Sequence, residues 1–160
     1  MLKVQKELQG TTLTVRLSGD INEHARFEDI LSTEELTRNP PTGLLVLARE
    51  VRRINSTGVK NWIKYFQIAG SRVTKIRLAE CSIALVEQIN QIVNFTCGAE
   101  VESIFVPFAC KGCKSELVGL FTCEDLKRRN LVPPVLKCSK CGGEAVFDDI
   151  EDEYFAFLKR

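Results

Sequence analysis

One histidine, one tryptophan, one methionine and two tyrosines are all that these 160 residues offer of those types. The scarcity excludes chemistry. His24 lies beside Glu23 in a polar stretch, with no serine or cysteine that the sequence pairs with it, so it reads as a surface residue rather than a general base. There is no glycine-rich loop to cradle a phosphate and no carboxylate pair of recognisable placement; the chain is not expected to be an enzyme. Charge of one sign is also missing. Against 22 Lys and Arg stand 21 Asp and Glu, a net charge of +1, which supplies no field to gather nucleic acid or an anionic membrane. No apolar run approaches the roughly 20 residues a bilayer demands, and Met1–Glu7 lacks the apolar centre of a signal peptide. A cytoplasmic protein without membrane contact is the expectation.

What is present is a 44% hydrophobic content, enough for a packed core, and two stretches with chemistry. The first is Arg52-Arg53-Ile54-Asn55-Ser56-Thr57-Gly58-Val59. Before it, Leu44–Ala48 is apolar at every position, as a strand covered on both faces requires. After it, Val59, Trp62, Ile63, Phe66 and Ala69 recur with helical spacing, and Gly70 is placed to end that helix. Alternation in Leu2, Val4 and Leu8, and again in Leu13, Val15 and Leu17, predicts a hairpin turning at Gln9–Thr12. A short helix between Asn22 and Thr37, a strand over 73–78, a helix capped by Ser82 and a last strand over 100–106 give the order β-β-α-β-α-β-α-β. Ser56 sits at the start of the central helix, where a plain N-cap is one reading of it and a regulated hydroxyl the other.

Leu17-Ser18-Gly19-Asp20-Ile21-Asn22, the strand Leu44–Ala48, Ile54-Asn55-Ser56-Thr57-Gly58 and Phe95-Thr96-Cys97-Gly98 together resemble the STAS domain of bacterial anti-sigma-factor antagonists and stressosome scaffolds. The resemblance covers about residues 3–106. It implies an α/β fold, a mixed sheet with helices packed on it, and a docking surface formed by Asn22, Arg52, Arg53, Asn55, Ser56, Thr57 and Gly58. It also implies phosphorylation at Ser56 by an anti-sigma-type kinase, after which that partner is released. A phosphate there would meet unpaired amides and the positive end of a helix. Asn55 and Asn22 stand where the family carries aspartates, and Arg52 and Arg53 add positive charge, so the surface suits an acidic partner or retains a phosphate.

The second stretch is cysteine-rich. Of seven cysteines, Cys110, Cys113, Cys123, Cys138 and Cys141 fall in the last third. Cys110-Lys111-Gly112-Cys113 and Cys138-Ser139-Lys140-Cys141 form two C-x2-C knuckles, which turn four thiolates toward one ion. A closed thiolate shell predicts one structural Zn2+ in a zinc-ribbon β module; iron, two disulfides or free thiols are the other readings. Strands are expected at Ala145–Phe147 and Tyr154–Leu158, and a helical turn at Glu124–Asn130. Cys81, Cys97 and Cys123 read as small buried hydrophobes. The chain then divides into 1–106, STAS-like, and 107–160, ribbon. The pairing resembles bacterial proteins in which a STAS-like domain with an Ile-Asn-Ser turn precedes a cysteine-rich ribbon.

The function expected is non-enzymatic signalling or scaffolding, with a regulatory protein (an anti-sigma-factor-type kinase or another signalling component) bound at the Ser56 turn. The alternative is a nucleic-acid-binding ribbon contacting phosphates through Lys127, Arg128, Arg129, Lys137 and Lys140, against which the acidic stretch Asp148–Glu153 stands.

Overall fold

A computed structural model describes residues 1–160. Strands β1 (Lys3–Gln9) and β2 (Thr12–Ile21) pair antiparallel around Gly10, whose φ of 63° needs no side-chain accommodation. Helix α1 (Thr33–Arg38) opens with a capping box between Ser32 and Glu35. Strand β3 (Gly43–Ile54), helix α2 (Ser56–Arg72), strand β4 (Lys75–Ala79), helix α3 (Ile83–Gln91) and strand β5 (Glu100–Val101) follow. The sheet order is β1-β2-β3-β4-β5, parallel except for the first pair. This is the mixed sheet and the element order that the hydrophobic pattern predicts.

A second, antiparallel sheet comprises β6 (Ser103–Cys110), β7 (Glu116–Thr122), β8 (Leu136–Lys137) and β9 (Glu144–Phe147), in the order β7-β6-β9-β8. Helices α4 (Cys123–Arg128) and α5 (Glu151–Tyr154) flank it. The two sheets touch along β6: Cys81 N donates to Ser103 O at 3.1 Å and Phe105 N to Cys81 O at 2.9 Å, a parallel bridge opposite Ile104. The expected division between 106 and 107 falls inside β6.

One connected core includes Trp62, Phe66, Phe95, Ile104, Phe108 and Phe155, all 2% exposed or less. Its densest part is aromatic. Trp62 stacks on Phe95 with centroids 5.0 Å apart and planes at 5°, and meets Phe27 edge-on at 5.8 Å. Its indole N–H donates to the Phe95 carbonyl at 3.0 Å, which satisfies the polar atom that burial would otherwise penalise.

Five expectations are corrected. Strand β3 does not stop at Ala48; it continues to Ile54, because β2 runs beside it through Gly19 and as far as Ile21. The β3–β4 pairing ends at Leu47, so the rest of β3 forms with β2 a ribbon overhanging the sheet, where arginines reach water. Helix α2 passes through Gly70 to Arg72, since Gly70 keeps helical backbone and Val73 is the first non-helical residue. Residues 154–158, expected as a strand, end α5 and form a 3-10 turn that packs Phe155 into the core. Finally, Leu8 is not on a buried face: β1 is an edge strand, and Leu8 is 64% exposed. The segment 100–106, expected as one strand, is two, split at Glu102 between the sheets.

Candidate metal centre and helix-start surface

The sheet order brings the two knuckles together. Cys110 ends β6 and Cys113 lies in the turn after it; Cys138 follows β8 and Cys141 precedes β9. Because β9 lies between β6 and β8, both turns share one end of the sheet. Lys111 N donates to Glu144 O at 2.8 Å and Cys138 N to Gly143 O at 2.8 Å, which fixes each knuckle against β9. The residue after each second cysteine takes a left-handed angle: Lys114 at φ 65° and Gly142 at φ 78°.

The four Sγ atoms all lie within 4.8 Å of one another. Cys110 and Cys141 are 3.4 Å apart, Cys113 and Cys138 3.7 Å. A disulfide needs about 2.05 Å, whereas a tetrahedral ion with bonds of about 2.3 Å separates its sulfurs by about 3.8 Å. The backbone leaves room for that shell. A Cβ on Gly143 would stand 3.2 Å from Cys141 Sγ and 3.3 Å from Cys110 Sγ, closer than ordinary packing allows. The amides of Lys140 and Gly143 donate to Cys138 and Cys141 at 3.4 Å each. The donor set therefore fits a metal ion, with Cys110 and Cys138 buried and Cys113 and Cys141 exposed.

Titration within the cluster is uneven. The Ser115 hydroxyl, 3.1 Å from Cys113, and the Ser115 amide hold the Cys113 thiol down to about 6. Amides of Cys113 and Gly112 lower that of Cys110. At Cys141 the Gly143 amide acts downward, but the sulfurs of Cys110, Cys113 and Cys138, with burial, outweigh it and push the thiol up to about 11. Sulfurs this close cannot all ionise without a cation between them, which is the electrostatic case for a metal.

The other cysteines do not join this site. Burial raises the thiol pKa of Cys81 and takes Cys123 up to about 11, as for small hydrophobic residues; Cys97 is half-buried. Of the cations considered for phosphate contact, Arg128 and Arg129 both pair with Asp125, at 3.3 and 3.0 Å.

At the start of α2, the cap is Asn55 and not Ser56. Asn55 has extended backbone, φ −96° and ψ 174°, and its Oδ1 accepts from Gly58 N at 2.7 Å. Its amide Nδ2 donates to Glu23 Oε2 at 2.9 Å. That second bond explains an asparagine here, because an aspartate would oppose Glu23 with like charge. Asn22 orders the facing turn by accepting at Oδ1 from His24 N at 2.9 Å. Asn55 N donates to Ile21 O at 3.1 Å, so the helix start is tied to the end of the overhanging ribbon. Gly58 is required by closeness: a Cβ there would overlap the Ile21 carbonyl. Ser56 and Thr57 are exposed, and no hydrogen bond engages the Ser56 hydroxyl. Arg52 lies 3.8 Å from Asp20, one oxygen of which is buried without a hydrogen bond. Arg53 is exposed and free of any ion pair. His24 is at the surface, its side chain 73% exposed.

Two residues escaped the sequence reading. Glu23 gave no signal, since its role depends on Asn55 arriving from another element. Ser115, two residues beyond Cys113, is legible only once its hydroxyl is seen on the sulfur.

Two outcomes follow from this geometry. Asn55→Ala is expected to cost about 1 kcal/mol in urea unfolding. In the wild type the Asn55 amide holds the Glu23 carboxyl below its ordinary value. An NMR titration of the variant should show that carboxyl moving back up. A depressed carboxylate stabilises above its titration and less so as pH falls through it, so this latch weakens toward acid. Gly58→Ala is expected to cost about 1–3 kcal/mol, because α2 must move off Ile21; unchanged urea midpoints for both would contradict the geometry.

No protein-family model matches the chain, and no curated protein matches it.

Proposed function

We propose that this chain is a non-enzymatic signalling or scaffold protein, STAS-like over residues 1–106 and ribbon-like over 107–160. A regulatory protein docks on the surface made by Asn22, Arg52, Arg53, Asn55, Ser56 and Thr57, with buried Gly58 holding the turn beneath it. One Zn2+ is held structurally by Cys110, Cys113, Cys138 and Cys141, whose closed shell leaves no place for a reacting water.

The observation that carries the docking reading is the division of labour at α2. Asn55 does the capping, and the Ser56 hydroxyl is left exposed in the first turn. A serine engaged as the cap would lose its helix contact on modification; this one does not. Phosphoryl transfer from a nucleotide to Ser56 Oγ, with loss of the hydroxyl proton, would add nearly two negative charges to a turn that carries Arg53 before it and, through the Asn55 amide, Glu23. The arginine side retains the phosphate and the Glu23 side repels it, so the surface a partner meets changes sign locally.

The test is affinity capture from the native cell with the wild type, Ser56→Asp and Arg53→Glu, read by mass spectrometry. A partner bound by the wild type and lost from both variants, with phosphate on Ser56, is the expected result. The same proteins on all three baits, with unmodified Ser56, would sink it.

A further inference from the structure

We propose that β7 is a self-docking edge, through which two copies of this chain join antiparallel, β7 to β7, around Gly119.

Strand β7 is the outer strand of the second sheet, paired with β6 on one side only. The phase of that ladder is fixed at both ends. Cys110 N donates to Ser115 O, and Cys123 N to Glu102 O, both in register with the β6–β7 pairing. Ladder bonds alternate along a strand, so Leu117, Gly119 and Phe121 point their backbone groups at β6. Glu116, Val118, Leu120 and Thr122 point theirs outward. Thr122 is also the N-cap of α4, so its carbonyl serves that helix, and the free edge is the backbone of Glu116, Val118 and Leu120 with the Thr122 amide.

Exposed edges are ordinarily blunted by lysine, proline or a bulge, because they template pairing with another chain. This edge has none of them. Residues 116–122 read Glu-Leu-Val-Gly-Leu-Phe-Thr, and the β6–β7 register is unbroken. Val118 and Leu120, side by side on the outer face, are 57% and 43% exposed.

The choice of a second copy rests on self-complementarity. Pairing about Gly119 sets Val118 against Leu120 of the second copy and Glu116 against its Thr122. All outward residues then fall in hydrogen-bonded pairs, for about six new backbone bonds once the two Thr122 carbonyls that cap α4 are set aside. Shifting the centre to Val118 or Leu120 leaves an outward residue without a partner. On the inner face Leu117 meets Phe121. Beyond the strand ends, the antiparallel arrangement sets the end that carries Lys114, in the turn before β7, against the end that carries Glu124 of the second copy, in the first turn of α4, on both sides of the two-fold axis. Both are exposed, and neither has an ion-pair partner in its own chain. The pairing consumes both edges, so it closes at a dimer.

The experiment is sedimentation equilibrium of the full chain, joined to hydrogen exchange at low and high protein concentration. The wild type should dimerise, and Leu120→Lys should raise the dimer dissociation constant at least about tenfold. Lys114→Glu and Glu124→Lys should each weaken the dimer, and combining them should restore it. In the wild type, the amides of Val118, Leu120 and Thr122 should gain protection with concentration, whereas those of Leu117, Gly119 and Phe121 are protected throughout. A wild type that stays monomeric, assemblies larger than a dimer, or a dimer whose Val118 and Leu120 amides exchange freely would overturn the proposal. That exchange result stands even if a variant fails to fold.

Discussion

Chelation of the metal is expected to remove more than about 4 kcal/mol of unfolding free energy, the range that separates loss of a structural ion from ordinary point mutations. The reason is the small amount of other structure holding the knuckles. Strand β8 has two residues and β9 four, and the turns between them are fixed by the few backbone bonds around Cys110, Cys138 and Gly143. Without a cation, buried Cys110 and Cys138 face sulfurs that resist sharing charge. Thermal unfolding with and without chelator measures the effect, and elemental analysis of the purified chain should find about one zinc per chain. Cys138→Ala should reproduce it, while Cys123→Ala, outside the shell, should cost only the packing of a small side chain. Protons compete with the metal for thiolates, so loading falls as the pH is lowered. A red protein would indicate iron, and identical melting with and without chelator would refute the structural role.

Trp62→Ala should be the costliest single substitution in the first sheet's core, about 3–5 kcal/mol in urea unfolding. The ring is 1% exposed, stacked on Phe95 and crowded by Phe27 and Phe66. Its removal leaves a cavity that neighbouring rings cannot fill without leaving their rotamers, and it leaves the Phe95 carbonyl only the weak Cys97 thiol donor at 3.7 Å. Trp62→Phe separates the two losses. It keeps the stack but not the donor, and should cost about 1–3 kcal/mol. If Trp62→Ala costs under about 1 kcal/mol, the aromatic cluster is not the centre of the core.

These effects show where the sequence was informative. The helical spacing of Trp62, Phe66 and Ala69 and the alternation in β2 are burial signals, and burial in the structure follows them. The C-x2-C spacing was legible for a different reason: two knuckles have one common use, and their sulfurs do converge. What failed depended on remote partners. The charged half of β3 carries no strand signal of its own and is extended because β2 accompanies it. Of the two readings of Ser56, the cap falls to Asn55 instead, whose amide Glu23 holds from another segment. The tail at 154–158 has the apolar content of a strand but is helical, with the Tyr154 hydroxyl on the Phe105 carbonyl and the Asn90 side chain accepting from Phe157 N and donating to Tyr154 O.

Strand β6 begins on the backbone of Cys81, the residue before the α3 cap Ser82, and ends on Cys110, one of the four clustered cysteines. An extended strand is stiff along its length, and this one spans roughly 26 Å at about 3.3 Å per residue. It leaves no flexible joint between the knuckles and the first turn of α3. A partner gripping the cysteine turns would therefore hold a lever whose other arm lies beside the first sheet, and a pull on one would be delivered to the other as tilt rather than absorbed as slack.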